Sequence, residues 1–336
     1  MLAEAADWLR RRSSSAADWP AEPLLGLKGS TRVSVVLPAR DEQDTVGGIV
    51  SAIRRDLVER TPLVDEIVVI DSRSVDDTAA VAAAAGAKVF GQDAILPRLP
   101  CLSGKGEALW KSLAVTSGDI VVFVDADLVN FSPSFVTGLL GPLLTCPEVS
   151  YVKACYDRPY NGPEESFAGG GRVTELVARP LLNLHWPLLA GIVQPLGGEY
   201  AGRRSLLERL PFMTGYGVEL GLLLDALEAV GLDGMAQVDL GAREHSHQST
   251  EALAVMAAQI LQTAWSRLDR RGLMMPLSSP SPALTQFHRG PSGHEPVDRD
   301  AGVAERPPMI EVPEYALTLG PAGERARGAG RGHSRD

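Results

Sequence analysis

Apolar residues follow two alternating rhythms along the first 150 positions. Short unbroken runs, Val33-Ser-Val-Val-Leu37, Glu66-Ile-Val-Val-Ile-Asp71, Ala87-Lys-Val-Phe90 and Ile120-Val-Val-Phe-Val124, have the length and β-branched content of buried strands. Between them the spacing turns helical. Val46, Ile49, Val50, Ile53 and Leu57 share one helical face, an alanine-rich segment runs to Ala85 and stops at Gly86, and a helix over Glu107–Thr116 feeds the last run. Strand and helix alternating at this interval predict an α/β fold with a doubly wound, mostly parallel sheet.

The second half is less regular. Ser150–Cys155 and Ala236–Gly241 read as strands, Leu220, Leu223, Leu224 and Leu227 as one helix face, and Ala252–Arg267 as an amphipathic helix. From Ser278 proline, glycine and charge dominate. The expected divisions are an N-terminal helix or arm (1–31), a strand-rich half (32–150), a second half (151–275), an extended arm that contacts a dimer partner (276–319) and a disordered tail (320–336). Met309, Ile310, Val312 and Tyr315 are the arm residues expected at that contact.

With 336 residues, 45% of them hydrophobic, the chain has material for a sizeable core. Its net charge of −10 argues against a nucleic-acid partner, which needs a basic face. Any phosphate site is therefore a local device in an acidic protein. Cys101, Cys146 and Cys155 lack metal-ligand spacing and read as free thiols of a reducing compartment. The longest apolar stretch, Pro180 to Leu196, is broken by three prolines, Asn183 and His185, so no membrane span is expected. The segment Met1–Pro20 has no apolar core of a targeting signal, and a soluble cytoplasmic protein is expected.

Chemistry gathers where strands run out: Pro38-Ala39-Arg40-Asp41-Glu42, Asp71-Ser72, and Asp125-Ala126-Asp127. The carboxyl edge of an open α/β sheet is where ligands bind. Asp125 and Asp127, two apart, point to one side of an extended chain and suit a divalent cation and, through it, a diphosphate. Two solvated acids at a strand end are the plain alternative. No G-x-G-x-x-G follows the first strand, which disfavours a nicotinamide enzyme. Ser103-Gly104-Lys105-Gly106 fails the P-loop pattern at Leu99 and Gly106, so Lys105 reads as a single cation on a flexible loop.

Three further stretches carry candidate groups. Gly169-Gly170-Gly171-Arg172-Val173-Thr174 sets backbone donors, a helix start and a guanidinium together, as an anion site requires; a glycine linker is the alternative. Glu219, after Gly215-Tyr216-Gly217-Val218, serves either a helix dipole or a sugar hydroxyl. His245-Ser246-His247 places both imidazoles on one side, either as metal ligands or as a polar edge.

Taken together these segments resemble the retaining glycosyltransferases of GT-A fold, and closely the actinobacterial glucosyl-3-phosphoglycerate synthases. Leu37–Glu42, Asp71–Thr78, Gly104–Trp110, Asp125–Asp127, Gly170–Leu176, Gly215–Glu219 and Gly241–His245 run in family order across Thr31 to Gly272. A weaker echo follows at Leu284–Phe287 and Arg306–Met309. The resemblance implies a Rossmann-like, mostly parallel sheet with flanking helices, a smaller acceptor-binding α/β portion and an extended C-terminal arm. It implies transfer of glucose from UDP-glucose to D-3-phosphoglycerate, yielding the precursor of glucosylglycerate and methylglucose lipopolysaccharides.

By the same resemblance Pro38, Ala39, Arg40, Asp41, Glu42, Ser72, Lys105, Asp125 and Ala126 hold the nucleotide, and Tyr216, Gly217, Val218 and Glu219 the donor sugar. Asp127 and His245 bind Mg2+ or Mn2+. Gly171, Arg172, Val173, Thr174 and His247 hold the acceptor, and Asp127, Glu219 and Lys105 form the catalytic set. Three positions depart from the family pattern: His247 and Asp41 each replace an asparagine, and Arg73 a glycine. Spanning helices expected of a membrane-bound polysaccharide synthase are missing, as is the glycine-rich loop of a nucleotidyltransferase. The same enzyme with GDP-mannose as donor is the nearest rival, and a homodimer is expected.

Overall fold

The computed structural model describes residues 1–157, 171–243, 249–275, 278–290 and 293–317. The first half comprises helix α1 (Ala3–Arg12), strand β1 (Ser13–Ser15), α2 (Ala21–Lys28), β2 (Val33–Ala39), α3 (Val46–Ile53), β3 (Glu66–Asp71), α4 (Thr78–Ala85), β4 (Lys88–Gly91), α5 (Lys105–Val115), β5 (Ile120–Phe123) and α6 (Ser134–Thr145). The second begins with β6 (Tyr151–Asp157), α7 (Arg179–His185), β7 (Tyr200–Arg203), α8 (Arg204–Leu207) and β8 (Phe212–Met213). Then come α9 (Val218–Val230), β9 (Met235–Ala242), α10 (Thr250–Arg270), β10 (Ala283–Gly290), β11 (Gly293–Asp300), β12 (Glu305–Arg306) and α11 (Pro313–Ala316).

One sheet joins both halves, in the order β1-β9-β6-β7-β5-β2-β3-β4. All its pairs are parallel except those of β7, which runs antiparallel to β5 and β6. Alternation along the strands sends side chains to two cores. Val33, Val35 and Leu37 of β2 join Val122 of β5 on one face; Val36 joins Val121 and Phe123 on the other. Each fully buried side chain of this kind contributes roughly 1.5–3 kcal/mol, which fixes the register of the central strands.

The predicted strands of the first half are found close to their expected limits, and Gly86 caps α4 with φ +106°; the helix face expected from Val46 to Leu57 instead passes from α3 into a π-helical segment, Arg54–Arg60. Two further expectations change. The N-terminal segment is part of the fold: Trp8 is buried and donates from Nε1 to Met235 O at 2.9 Å, while β1 extends the sheet beside β9. The arm is not simply extended. β10 and β11 form a separate antiparallel hairpin, β12 pairs with β8, and Met309, Val312 and Tyr315 are buried in this chain's own core. The expected tail, 320–336, lies outside the described residues. No described helix is long and apolar enough to cross a membrane.

Candidate active site

The carboxyl ends of β2, β3 and β5 open on one edge of the sheet. The loops after β2 and β3 are stitched together there. Backbone N–H groups of Asp41, Glu42 and Gln43 donate to Ser74 Oγ (3.0 Å), Thr78 Oγ1 (2.7 Å) and Asp76 Oδ2 (3.2 Å), and Val75 N–H donates to Asp41 Oδ1 (2.8 Å). Asp41 and Arg73 hold left-handed backbone, with φ of 57° and 65°. Arg73 is fixed by a fork onto Asp93 at 2.7 and 2.9 Å. Ser72 Oγ donates to Gln92 Oε1 at 3.0 Å.

Beyond β5, Asp125 and Asp127 do point to one side, since Arg243 Nη2 reaches Asp125 Oδ2 at 2.9 Å and Asp127 Oδ1 at 3.1 Å. Lys105 lies between Asp125 Oδ1 (2.5 Å) and Glu219 Oε1 (2.8 Å). It is the first residue of α5 and not a group on a flexible loop, which corrects the expectation. Close backbone approach makes this possible: a Cβ on Gly106 would run into Met213 O, just ahead of the turn that starts α9 and carries Glu219. Two helix starts thus press their lysine and glutamate together under the strand end.

The charges compensate unevenly. Burial pushes the Lys105 ammonium toward deprotonation, but Asp125 and Glu219 outweigh it and hold it charged well above the usual lysine range. Burial likewise opposes ionisation of Asp125, and Lys105 with Arg243 overcomes it, so this carboxyl stays far below its ordinary range. Glu42 has only a long hydrogen bond from Thr45 Oγ1 at 3.4 Å to favour its charge. Its burial, and then the charge of Asp127, push it up to about 7. Lys153, buried beneath the site, is pushed down to about 8 by desolvation and donates to Gly197 O at 2.5 Å.

Could these residues hold a divalent ion? Asp127 keeps 36% of its side chain exposed, and Glu42 is repelled by the neighbouring acids. A mouth lined by carboxylate oxygens with surplus negative charge has the donor chemistry of a hard cation. Among the described residues no three such ligands cluster, and His245, expected as the second ligand, lies outside them.

The other predicted residues fall as follows. Pro38 and Ala39 end β2, with Arg40 exposed behind them. Ala126 is buried, and its carbonyl accepts from Thr45 Oγ1 at 2.6 Å. Tyr216 is partly exposed and donates its N–H to Gln259 Oε1 at 2.9 Å; Gly217 and Val218 lead into α9 beside Glu219. Gly171 and Arg172 open a turn whose Val173 and Thr174 are buried and which widens into a π-helical segment, Thr174–Ala178, where a regular helix was expected. Arg172 Nη1 donates to Thr250 Oγ1 at 3.4 Å, so it stands at the start of α10. Gly169, Gly170 and His247 lie outside the described residues.

Sequence reasoning missed two groups. Arg243 lay inside a quoted motif but received no role, although it is the cation that binds both acids. Glu199 was not singled out at all; it is fully buried, and its Oε1 stands 3.4 Å from Arg243 Nη2. The overlooked signal was Gly197-Gly198-Glu199, where a Cβ on Gly198 would collide with the Asp125 carboxylate.

A mostly parallel sheet with flanking helices and a cation-clasped pair of acids at its carboxyl edge define a glycosyltransferase of GT-A fold, and residues 34–191 match the model of glycosyl transferase family 2. The chain is 48% identical over 307 residues to the glucosyl-3-phosphoglycerate synthase of Mycolicibacterium smegmatis, covering 91% of this chain and 98% of that protein. It belongs to the glucosyl-3-phosphoglycerate synthase family. Its structure is also similar to that of the Mycobacterium tuberculosis enzyme crystallised with Mn2+, UDP-glucose and phosphoglyceric acid, with TM-score 0.76 and 45% identity over 87% of this chain and 94% of that one. The mannosyl-3-phosphoglycerate synthase of Rubrobacter xylanophilus gives TM-score 0.85 at 42% identity, covering 91% and 99%.

Proposed function

We propose that this chain transfers glucose from UDP-glucose to D-3-phosphoglycerate with retention at the anomeric carbon, using a bound Mg2+ or Mn2+ ion. The observation that carries the reading is Lys105 held between Asp125 and Glu219 at the end of β5, in a chain of this family. When bound through Asp127 and His245, the ion supplies Lewis-acid neutralisation of the departing diphosphate. Lys105 adds a fixed positive charge beside the same oxygens, and needs no reorganisation because two carboxylates already orient it. Pro38 to Glu42 and Ser72 hold the nucleoside. Glu219 accepts from hydroxyls of the glucosyl group, with Tyr216, Gly217 and Val218 shaping the turn around it.

Arg172 grips the acceptor phosphate or carboxylate, with Gly171, Val173, Thr174 and His247 completing that subsite. Retention is read as departure and attack on one face of the sugar. The protein is read further as a cytoplasmic homodimer. Support for this comes from three free thiols and from the β10–β11 hairpin, which forms its own two-stranded sheet with Phe287 65% exposed.

The likeness to the Rubrobacter mannosyl enzyme favours one second reading, with GDP-mannose as donor. A coupled assay settles the choice: UDP-glucose, GDP-mannose and ADP-glucose are each supplied with 3-phosphoglycerate and Mg2+, and the product is identified by mass and anomeric NMR. UDP-glucose is expected to give the highest kcat/KM. Turnover faster with GDP-mannose would overturn the donor assignment. Sedimentation of a monomer at working concentration would overturn the dimer.

A further inference from the structure

The Arg243 guanidinium is over-subscribed on one side and under-used on the other. A single nitrogen, Nη2, serves Asp125 at 2.9 Å and Asp127 at 3.1 Å, and approaches Glu199 Oε1 only to 3.4 Å. Nη1 donates to Tyr156 Oη at 2.9 Å. Nε is buried and has no hydrogen-bond partner among the described residues. Both carboxylate oxygens of Glu199 are in the same condition. Buried donors and acceptors are costly to leave unmade, so unmet groups on neighbouring side chains call for an explanation.

Glu199 cannot easily move to meet the arginine. Its backbone carbonyl accepts from Ala154 N–H at 3.0 Å, Gly198 before it packs on Asp125, and Gly197 O is held by Lys153. The arginine, on the longer side chain, is the partner that can turn. Rotating its fork away from Asp127 would bring Nε and Nη2 onto the two oxygens of Glu199, satisfying three unmet atoms together. Positive charge arriving at Asp127 supplies the reason to turn, because it repels the guanidinium.

We propose that Glu199 is a positioning residue that sets the divalent-cation affinity of Asp127 by competing with it for Arg243. The inference rests on the metal reading of Asp127 given above. Arg243 and a divalent ion are rivals for Asp127. Glu199 draws the arginine off and so lowers the cost of loading the ion.

Mn2+ binding in the presence of UDP, followed by the EPR signal of free Mn2+, tests this without turnover. Glu199→Gln is expected to weaken Mn2+ at least tenfold with no fall in Tm, since it removes a buried charge that lacks hydrogen bonds. Glu199→Asp should recover part of the loss. In an Arg243→Met background, or Arg243→Gln should that variant not fold, Glu199→Gln should change Mn2+ affinity less than threefold. Equal losses in both backgrounds would mean that Glu199 acts by its charge alone, and would overturn the proposal. So would unchanged Mn2+ affinity in Glu199→Gln, or a loss accompanied by a lower Tm. Wild-type protein that binds no Mn2+ would instead remove the metal reading of Asp127, and this proposal with it.

Discussion

Where the C-terminal arm returns to the body of the protein, Arg306 forks onto Glu107 at 2.7 Å through Nε and Nη2 and lies over the Trp110 ring, while Trp110 Nε1 donates to Pro307 O at 2.8 Å. Nearby Arg267 forks onto Asp225 at 2.8 and 2.6 Å and also meets Glu305. None of these charged side chains has a buried polar atom without a partner. At the sheet edge, Arg243 divides one nitrogen among three carboxylates, and Glu199 has both oxygens unmet among the described residues. Both networks are buried, and both join arginine to acid. The closed one fastens the C-terminal arm to the body of the same chain. The open one has surplus acid, which suits a cation and, only through that cation, a diphosphate.

Breaking the closed network should give the larger effect on stability. Arg306→Met removes the forked partner of Glu107 and leaves that buried charge only Lys111 Nζ at 3.4 Å, and losing one partner of a buried pair costs about 3–5 kcal/mol. Urea denaturation should show that loss, whereas Glu199→Gln at the open network should show none. A loss under 1 kcal/mol for Arg306→Met would erase the distinction.

Next in size is an effect on the acceptor alone. Arg172 can make two parallel bonds to an anion, each charge-assisted bond contributing about 1.5–3 kcal/mol, or roughly one to two orders of magnitude in affinity. Arg172→Ala should raise KM for 3-phosphoglycerate by about that factor and leave KM for UDP-glucose within twofold. The reverse pattern would transfer this turn to the nucleotide site.

The smallest effect is a difference in pH response between a carboxylate paired with a cation and one beside other acids. Glu66 is buried, which alone would raise its pKa, but it accepts from Ser34, Ser117 and Lys88 and is held down at about 2. Its contribution is therefore full above the unfolded value of about 4.5 and is lost as pH falls toward 2. Glu42, raised to about 7, behaves oppositely: ionisation is penalised, so the penalty is absent below about 4.5 and complete above 7. Glu42→Gln should stabilise the protein by about 1–2 kcal/mol at pH 8 and leave it unchanged at pH 4. A gain of equal size at both pH values would show that the charge of Glu42 is not its cause.

How far the sequence showed these two networks differs with their range. The buried strands were legible because β-branched runs bounded by acids carry a local signal, and Asp125 and Asp127 follow from strand periodicity. Lys105 and Glu219 were visible as residues, but their meeting depends on glycine-permitted contact between two helix starts. Arg306 and Glu107 stand 199 positions apart, and Trp8 reaches Met235 across 227, separations at which no periodicity survives. Thr174–Ala178 failed differently. Its composition suits a helix, and no spacing in it marks the wider π turn found there.

Calorimetric titration with UDP, with and without Mn2+, most directly tests whether the open network is a metal-diphosphate site. Wild-type protein is expected to bind UDP at least tenfold more tightly with Mn2+ than in excess chelator. Asp127→Ala should lose that difference while keeping its Tm. Equal UDP affinity in Mn2+ and in chelator for the wild-type protein would contradict the metal-assisted site at the end of β5.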